Sequence, residues 1–392
     1  MSRTCTVVAG VGMLPFVKPG RSASYDVMGQ SATALALRDA SLDYAQVQQV
    51  YVGYVYGDST CGQRALYPLG LTGIPIVNVT NNCATGSTAL YLARQAIESG
   101  TAECVLALGF EQMVHGALGT VYRDRPGPLD RFTALAQELH SAPDALMAPH
   151  LFGGAGLEYA ARHGTRPETF AKIAVKARRH AEHNDKAIFR EPVTVEQVLA
   201  SPPIFGPLTR LQCCPPTCGA AAAVLCSERY ARAHGVTSEV RILAQAMTTD
   251  TPATFEARSM IKAVGYDMTR SAAERVYEAA GIGPADMDVC ELHDCFTANE
   301  LLSYEALGLA AEGDAERFVC DGENTFGGRV VTNPSVGLLA KGHPLGATGL
   351  AQCTELVDQL RGRCGPRQVP GARHALQHNL GLGGAWVVTL YG

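Results

Sequence analysis

No apolar run in this 392-residue chain approaches the roughly 20 residues that cross a bilayer, so a helical membrane span is not expected. A surplus of one charge is also missing. The 32 Lys and Arg stand against 37 Asp and Glu, and the net charge of −5 gives no overall electrostatic case for nucleic acid or an anionic membrane. A local basic patch for an anionic cofactor stays open. The 13 cysteines are odd in number and lack regular spacing, which argues against a disulfide scaffold and for reduced thiols in a cytosol. The cluster Cys213-Cys214-Pro215-Pro216-Thr217-Cys218 lacks a second ligand pair at zinc spacing, so no metal is expected. Gly10-Val11-Gly12 begins like a dinucleotide fingerprint, but Pro15 stands where its third glycine belongs. Met1 to Phe16 has only Arg3 as a basic flank and carries Gly10, Gly12 and Pro15, so it reads as a first strand rather than a signal peptide. Leu390-Tyr391-Gly392 is no peroxisomal Ser-Lys-Leu address, and a cytoplasmic location is expected.

What is present is a repeated alternation of strand and helix. The expected strands are Thr4 to Ala9, Val50 to Val52, Ile76 to Thr80 and Glu103 to Gly109, the last apolar enough to be buried on both faces. Helices fall at Ser31 to Ala40 and Ala89 to Glu98, the second ending at Gly100. That order predicts a layered α/β domain. From Gln112 to Pro207 buried strand runs disappear and charges, histidines and prolines rise, as in a large insertion. Within it, Pro167 to Asn184 reads as a polar helix with a solvated basic face. Strands return at Thr209 to Cys214 and Ala220 to Leu225, and a new α/β run opens at Val240 to Ala244. Leu37 to Val52 aligns without a gap on Val276 to Leu292, and the turn and helix after Cys83 resemble Pro344 to Gly349 with the helix to Leu360. Two similar halves predict a duplicated fold with its reactive groups at the junction. The expected units are 1–111 with 208–237, an inserted 112–207, and 238–392.

Four stretches place reactive residues at strand ends among small residues. In Asn81-Asn82-Cys83-Ala84-Thr85-Gly86-Ser87, the cysteine sits where a strand turns into a helix. Unpartnered N–H groups and the helix dipole there favour a thiolate, though a buried cysteine acting as a small hydrophobe fits the same placement. The others are Glu291-Leu292-His293-Asp294-Cys295-Phe296, Lys341-Gly342-His343-Pro344-Leu345-Gly346 and Gln377-His378-Asn379-Leu380-Gly381-Leu382-Gly383-Gly384. Ligands collect at the carboxyl ends of strands in open α/β sheets, so all four can face one pocket.

Together these stretches, with Leu211-Gln212-Cys213-Cys214-Pro215, resemble the thiolase superfamily over nearly the whole chain, specifically its sterol carrier protein X branch. His-Asp-Cys-Phe at 293–296 marks that branch, since ordinary thiolases carry Asn-Glu-Ala-Phe there. The resemblance implies two duplicated βαβαβαββ halves in a five-layered α/β/α/β/α core with an inserted loop domain, and a homodimer or dimer of dimers. It implies a 3-oxoacyl-CoA thiolase, an acyltransferase of lipid metabolism and fatty acid β-oxidation, with coenzyme A as co-substrate and no permanently bound cofactor. Cys83 is then the nucleophile, and His343 takes its proton and later helps hold an oxyanion. Asn379 stands where ordinary thiolases have their second catalytic cysteine, so the acid/base role passes to Cys295. His293 joins the oxyanion hole for the thioester enolate, and the N–H groups of Cys83 and Gly381 form the other. His378 reads as a core histidine. Contacts to CoA are expected from the insertion and are not assigned, although Lys176 and Arg178 carry suitable charge.

Two positions depart from the branch. Cys218 replaces an aspartate and Val336 replaces a glycine, and because a β-branched residue resists positive φ, the turn near His343 is expected to be rebuilt. The carrier's lipid-binding domain is expected to be absent. The competing activities are a thiolase-like acyltransferase or condensing subunit with accessory subunits, a retro-aldolase, against which the retained cysteine–histidine set argues, and a non-catalytic acyl-CoA-binding protein.

Overall fold

The computed structural model describes residues 5–114, 116, 118–119, 122–236 and 239–392. Thr4 and the expected boundary at 237/238 lie outside them. The chain forms twelve strands among the described residues: β1 (Thr6–Met13), β2 (Gln49–Gly53), β3 (Ile76–Val79), β4 (Cys104–Glu111), β5 (Pro203–Phe205), β6 (Leu208–Thr209), β7 (Gly219–Ser227), β8 (Ile242–Thr248), β9 (Val289–Glu291), β10 (Val331–Thr332), β11 (Ala375–Gly381) and β12 (Ala385–Tyr391).

Two five-stranded sheets share one topology. The first runs β1-β7-β4-β2-β3 and the second β8-β12-β11-β9-β10. In each, the first two pairings are antiparallel and the last two parallel. Since β1, β2, β3, β4, β7 and β8 through β12 fill equivalent places in chain order, the two halves repeat each other. The expected alignment lands on β2 and β9, and it is gapless with Leu37 on Tyr277 rather than Val276 and Val52 on Leu292.

Helices Thr85–Glu98 and Thr348–Leu360 follow β3 and β10 and pack between the sheets, where Ala89, Leu90, Ala93, Leu350, Ala351 and Leu356 share one core with residues of both. Helix Tyr25–Ala40 covers the outer face of the first sheet and helix Tyr266–Ala280 that of the second, completing five α/β/α/β/α layers. Gly10 and Gly12 belong to this packing. A Cβ on either would lie 2.3 or 2.5 Å from backbone of Ala36, so they seat a helix on β1 rather than open a dinucleotide site. The two central helices meet N-terminus to N-terminus through glycine. A Cβ on Gly109 would come within 2.1 Å of the Gly346 carbonyl, and one on Gly349 within 2.4 Å of the Ser87 amide. This close approach brings the Cys83 turn and the His343 turn to one place.

Between β4 and β7 the chain leaves the first sheet. The expected strand at Thr209 to Cys214 shrinks to β6, followed by a 3-10 turn at Arg210–Gln212, because only the short β5 pairs with it. Helix Pro167–Ala181 is not a solvated face. Lys176 is buried and its Nζ donates to the Glu300 carboxylate, to Thr332 Oγ1 at 2.6 Å and to Tyr304 Oη at 3.3 Å. It is therefore spent on the second half and is not free for a CoA phosphate. Arg178 stacks on the Phe189 ring at 4.5 Å. Replacing Lys176 by Met should strand the Glu300 carboxylate and cost about 3–5 kcal/mol, read as a lower urea midpoint.

The turn at Val336 holds positive φ despite the β-branched side chain. Val336 sits at φ 81° while fully buried. A left-handed residue costs about 1–2 kcal/mol, and burying a valine side chain returns about 1.5–3 kcal/mol, so the strain is tolerated. Flanking hydrogen bonds hold the turn, from Ser335 N–H to Glu291 at 3.0 Å and from Leu338 N–H to Asp294 at 2.6 Å.

Candidate active site

The Cys83 turn is tied at both ends. Asn82 takes φ 49°, a left-handed conformation that asparagine tolerates. Asn81 N–H donates to Thr85 Oγ1 at 2.8 Å, and Thr85 Oγ1 donates to the Asn82 carbonyl at 2.6 Å. From the other half, the Leu382 carbonyl accepts Asn82 Nδ2 at 2.9 Å. Gly381 lies directly against the turn: a Cβ there would be 2.2 Å from the Asn81 carbonyl and 2.9 Å from the Ala84 amide, so only glycine fits.

Cys83 Sγ and one ring nitrogen each of His293 and His343 all lie within 4.8 Å of one another. The two imidazoles meet edge to face, with centroids 5.0 Å apart at 84°. His293 follows β9 and His343 follows the short helix Gly337–Lys341, so the two carboxyl ends of the second half converge on the turn from the first. Each histidine has its Nδ1 engaged: His343 with Thr348 Oγ1 at 2.7 Å, His293 with Asn379 Nδ2 at 2.9 Å. Each Nε2 is buried without a partner among the described residues. Thr348 Oγ1 donates its only proton to the Pro344 carbonyl at 3.0 Å, so it accepts from His343 Nδ1–H. His343 Nε2 therefore carries a lone pair, as a base requires.

The thiolate expectation does not hold. Burial pushes the Cys83 thiol up to about 12, and the nearby Glu111 carboxylate adds to it. The Ala84 and Thr85 N–H groups are taken by the Asn81 and Asn82 carbonyls, so the Cys83 N–H is the backbone group that opposes this, and it is the smallest of the three effects. Burial takes the His343 imidazole down to about 3 and holds His293 well below its usual range, with His343 and His378 adding repulsion. The resting pair is thus neutral thiol and neutral imidazole. Cys295 is buried, and its thiol is raised well above the usual range by burial, then by Cys214, Cys83 and Asp294. Its carbonyl accepts Cys214 N–H at 2.9 Å. His378 bonds Thr269 Oγ1 at 3.0 Å and belongs to the core. Cys218 Sγ accepts Met113 N–H at 3.2 Å, a packing role.

Sequence reasoning missed Glu111. Its buried carboxylate accepts N–H bonds from Gly346 at 2.9 Å, Tyr56 at 3.1 Å and Val55 at 3.3 Å, joining the His343 segment to the first half. Burial raises it to about 7. The signal was present, a single acid ending an otherwise apolar strand. Ser87 and Thr348 gave no signal, since each acts through a partner seen only in the fold.

Three donors this close also suit a metal ion, and spacing alone does not choose between the two uses. The thiolase N-terminal domain matches residues 6–229 and the thiolase C-terminal domain-like family residues 251–390. Sterol carrier protein 2 of Oryctolagus cuniculus is 56% identical over 388 residues, covering 98% of this chain and 71% of that protein. Benzoylsuccinyl-CoA thiolase subunit BbsB of Thauera aromatica is 35% identical over 380 residues, covering 96% of this chain and 94% of the subunit. The structure of human mitochondrial 3-ketoacyl-CoA thiolase in complex with CoA superposes with a TM-score of 0.73 at 20% identity, over 99% of this chain and 98% of that one.

Proposed function

The chain belongs to the thiolase family, whose members support acyltransferase chemistry, and on that premise we propose that it cleaves 3-oxoacyl-CoA with CoA, giving acetyl-CoA or propanoyl-CoA and a shortened acyl-CoA. The observation that carries this reading is the Cys83–His293–His343 cluster, in which both Nε2 atoms are buried without a partner among the described residues.

Because the thiol and imidazole rest neutral, proton transfer from Cys83 to His343 Nε2 accompanies attack on the 3-keto carbon. The tetrahedral oxyanion rests on the N–H groups of Cys83 and Gly381. Its collapse breaks the carbon–carbon bond, leaving an acyl thioester on Cys83 and an enolate of the departing CoA ester. His293 and protonated His343 hold the enolate oxygen. Cys295, a neutral thiol through burial, protonates the enolate carbon. The resulting thiolate takes the proton of the incoming CoA thiol, whose sulfur attacks the acyl-enzyme, and His343 returns its proton to Cys83. A homodimer fits the terminal position of β3, whose outer edge pairs with no strand among the described residues and precedes the Cys83 turn.

The test follows CoA-dependent loss of acetoacetyl-, medium-chain and 2-methyl-branched 3-oxoacyl-CoA. Turnover of at least one member is expected. A second reading, an acyltransferase or condensing subunit, draws on the subunit designation of the Thauera relative. Acylation of Cys83 without thiolysis by CoA would favour it.

A further inference from the structure

Two buried histidines face the same small space, and a base and an oxyanion donor need opposite tautomers. Thr348 gives His343 its lone pair at Nε2. The proton on His293 is set by a longer chain of hydrogen bonds that begins across the molecule. Gln377 Nε2 donates to the Gly349 carbonyl at 2.7 Å, and its Oε1 accepts from Tyr391, so its amide has one orientation. The same Nε2 donates to Ser87 Oγ at 2.9 Å. Ser87 then has one proton to give, and Asn379 Oδ1, 2.8 Å away, is its acceptor among the described residues. That fixes the Asn379 amide with Nδ2 toward His293 Nδ1 at 2.9 Å. Ser87, Gln377, Asn379 and His293 are all fully buried. The flipped amide would leave the Ser87 hydroxyl proton unpaired, at a cost that buried donors rarely bear.

We propose that Gln377, Ser87 and Asn379 are positioning residues that hold His293 as the Nε2–H tautomer, so that it donates to a developing oxyanion beside the lone pair of His343. Asn379 thus has a function of its own at the place where ordinary thiolases carry a cysteine. An acceptor-only side chain there would draw the proton to Nδ1 and set two lone pairs against the substrate oxygen. Exchange of aspartate and asparagine beside a catalytic histidine is known to act through such a tautomer change. The inference rests on the proposed reading of the site, but its physical content is testable without it.

The experiment is long-range 1H–15N correlation on the full chain labelled with 15N-histidine, together with thiolysis kinetics. Wild-type His293 is expected to show Nε2 protonated and Nδ1 not. A proton on Nδ1, alone or with Nε2, would overturn the proposal whether or not any variant folds. Asn379→Asp is expected to move the proton to Nδ1 and lower kcat by about 10^2–10^3-fold with KM for CoA unchanged, and an unchanged kcat would overturn it. If the wild type shows the expected tautomer but no thiolysis, the proposed reaction fails and the hydrogen-bond chain stands. Thiolysis with the other tautomer sinks this inference alone.

Discussion

Cys83→Ala should lose about 10^4–10^6-fold in CoA-dependent cleavage, the scale on which removal of a nucleophile acts when its partners remain. Nothing in the packing predicts a matching loss of fold. Cys83 keeps partial exposure, and its turn is held by Asn81, Asn82 and Thr85 rather than by its sulfur. Thermal unfolding of the variant should therefore follow the wild type. The neutral thiol adds a sharper expectation. With the pKa near 12, the rate of iodoacetamide alkylation at Cys83 should climb through pH 6 to 9 without a plateau. A plateau reached near neutral pH would show that the turn stabilises a thiolate after all.

His343→Ala should lower kcat/KM by about 10^2–10^4-fold, the range of a positioned general base. The wild-type pH profile distinguishes this base from an ordinary histidine. Burial lowers its pKa to about 3, so it is unprotonated at every pH above about 5. The acid side of kcat/KM should not fall off near the usual histidine range of about 6.5. Protonated substrate-free His343 is the inactive form, so activity is lost only as the pH drops toward the lowered pKa. A limb centred near 6.5 that vanished in His343→Ala would contradict the assigned environment.

The duplication could be read from the chain because it rests on local order. Strand and helix recur at matching intervals, and Cys83, His293 and Gly381 fall at or near strand ends, while His343 follows the short helix Gly337–Lys341. The family resemblance added the roles that spacing alone left open. What stayed hidden depends on distance across the fold. Ser87 reaches Asn379 across 292 positions, and Lys176 finds Glu300 across 124, so a polar helix with basic residues read as solvated. Glu111 was visible only as an odd acid at the end of an apolar strand. The thiolate expectation failed for another reason. The helix start was correctly placed, but the Asn81 and Asn82 carbonyls already take the Ala84 and Thr85 N–H groups, and burial around the sulfur outweighs the Cys83 N–H that remains. Val336 erred in the opposite direction. Its backbone preference was judged correctly, yet burial of its side chain against the second half is large enough to hold it at positive φ.

The central claim is that Cys83 carries the acyl group between the two halves of the reaction. Intact-mass and peptide analysis of wild-type protein mixed with a 3-oxoacyl-CoA substrate, before and after addition of CoA, tests it most directly. The account predicts an acyl adduct on the peptide holding Cys83 that CoA discharges as the shortened acyl-CoA. Cleavage of substrate without an adduct at Cys83, or an adduct on another cysteine such as Cys295, would contradict it.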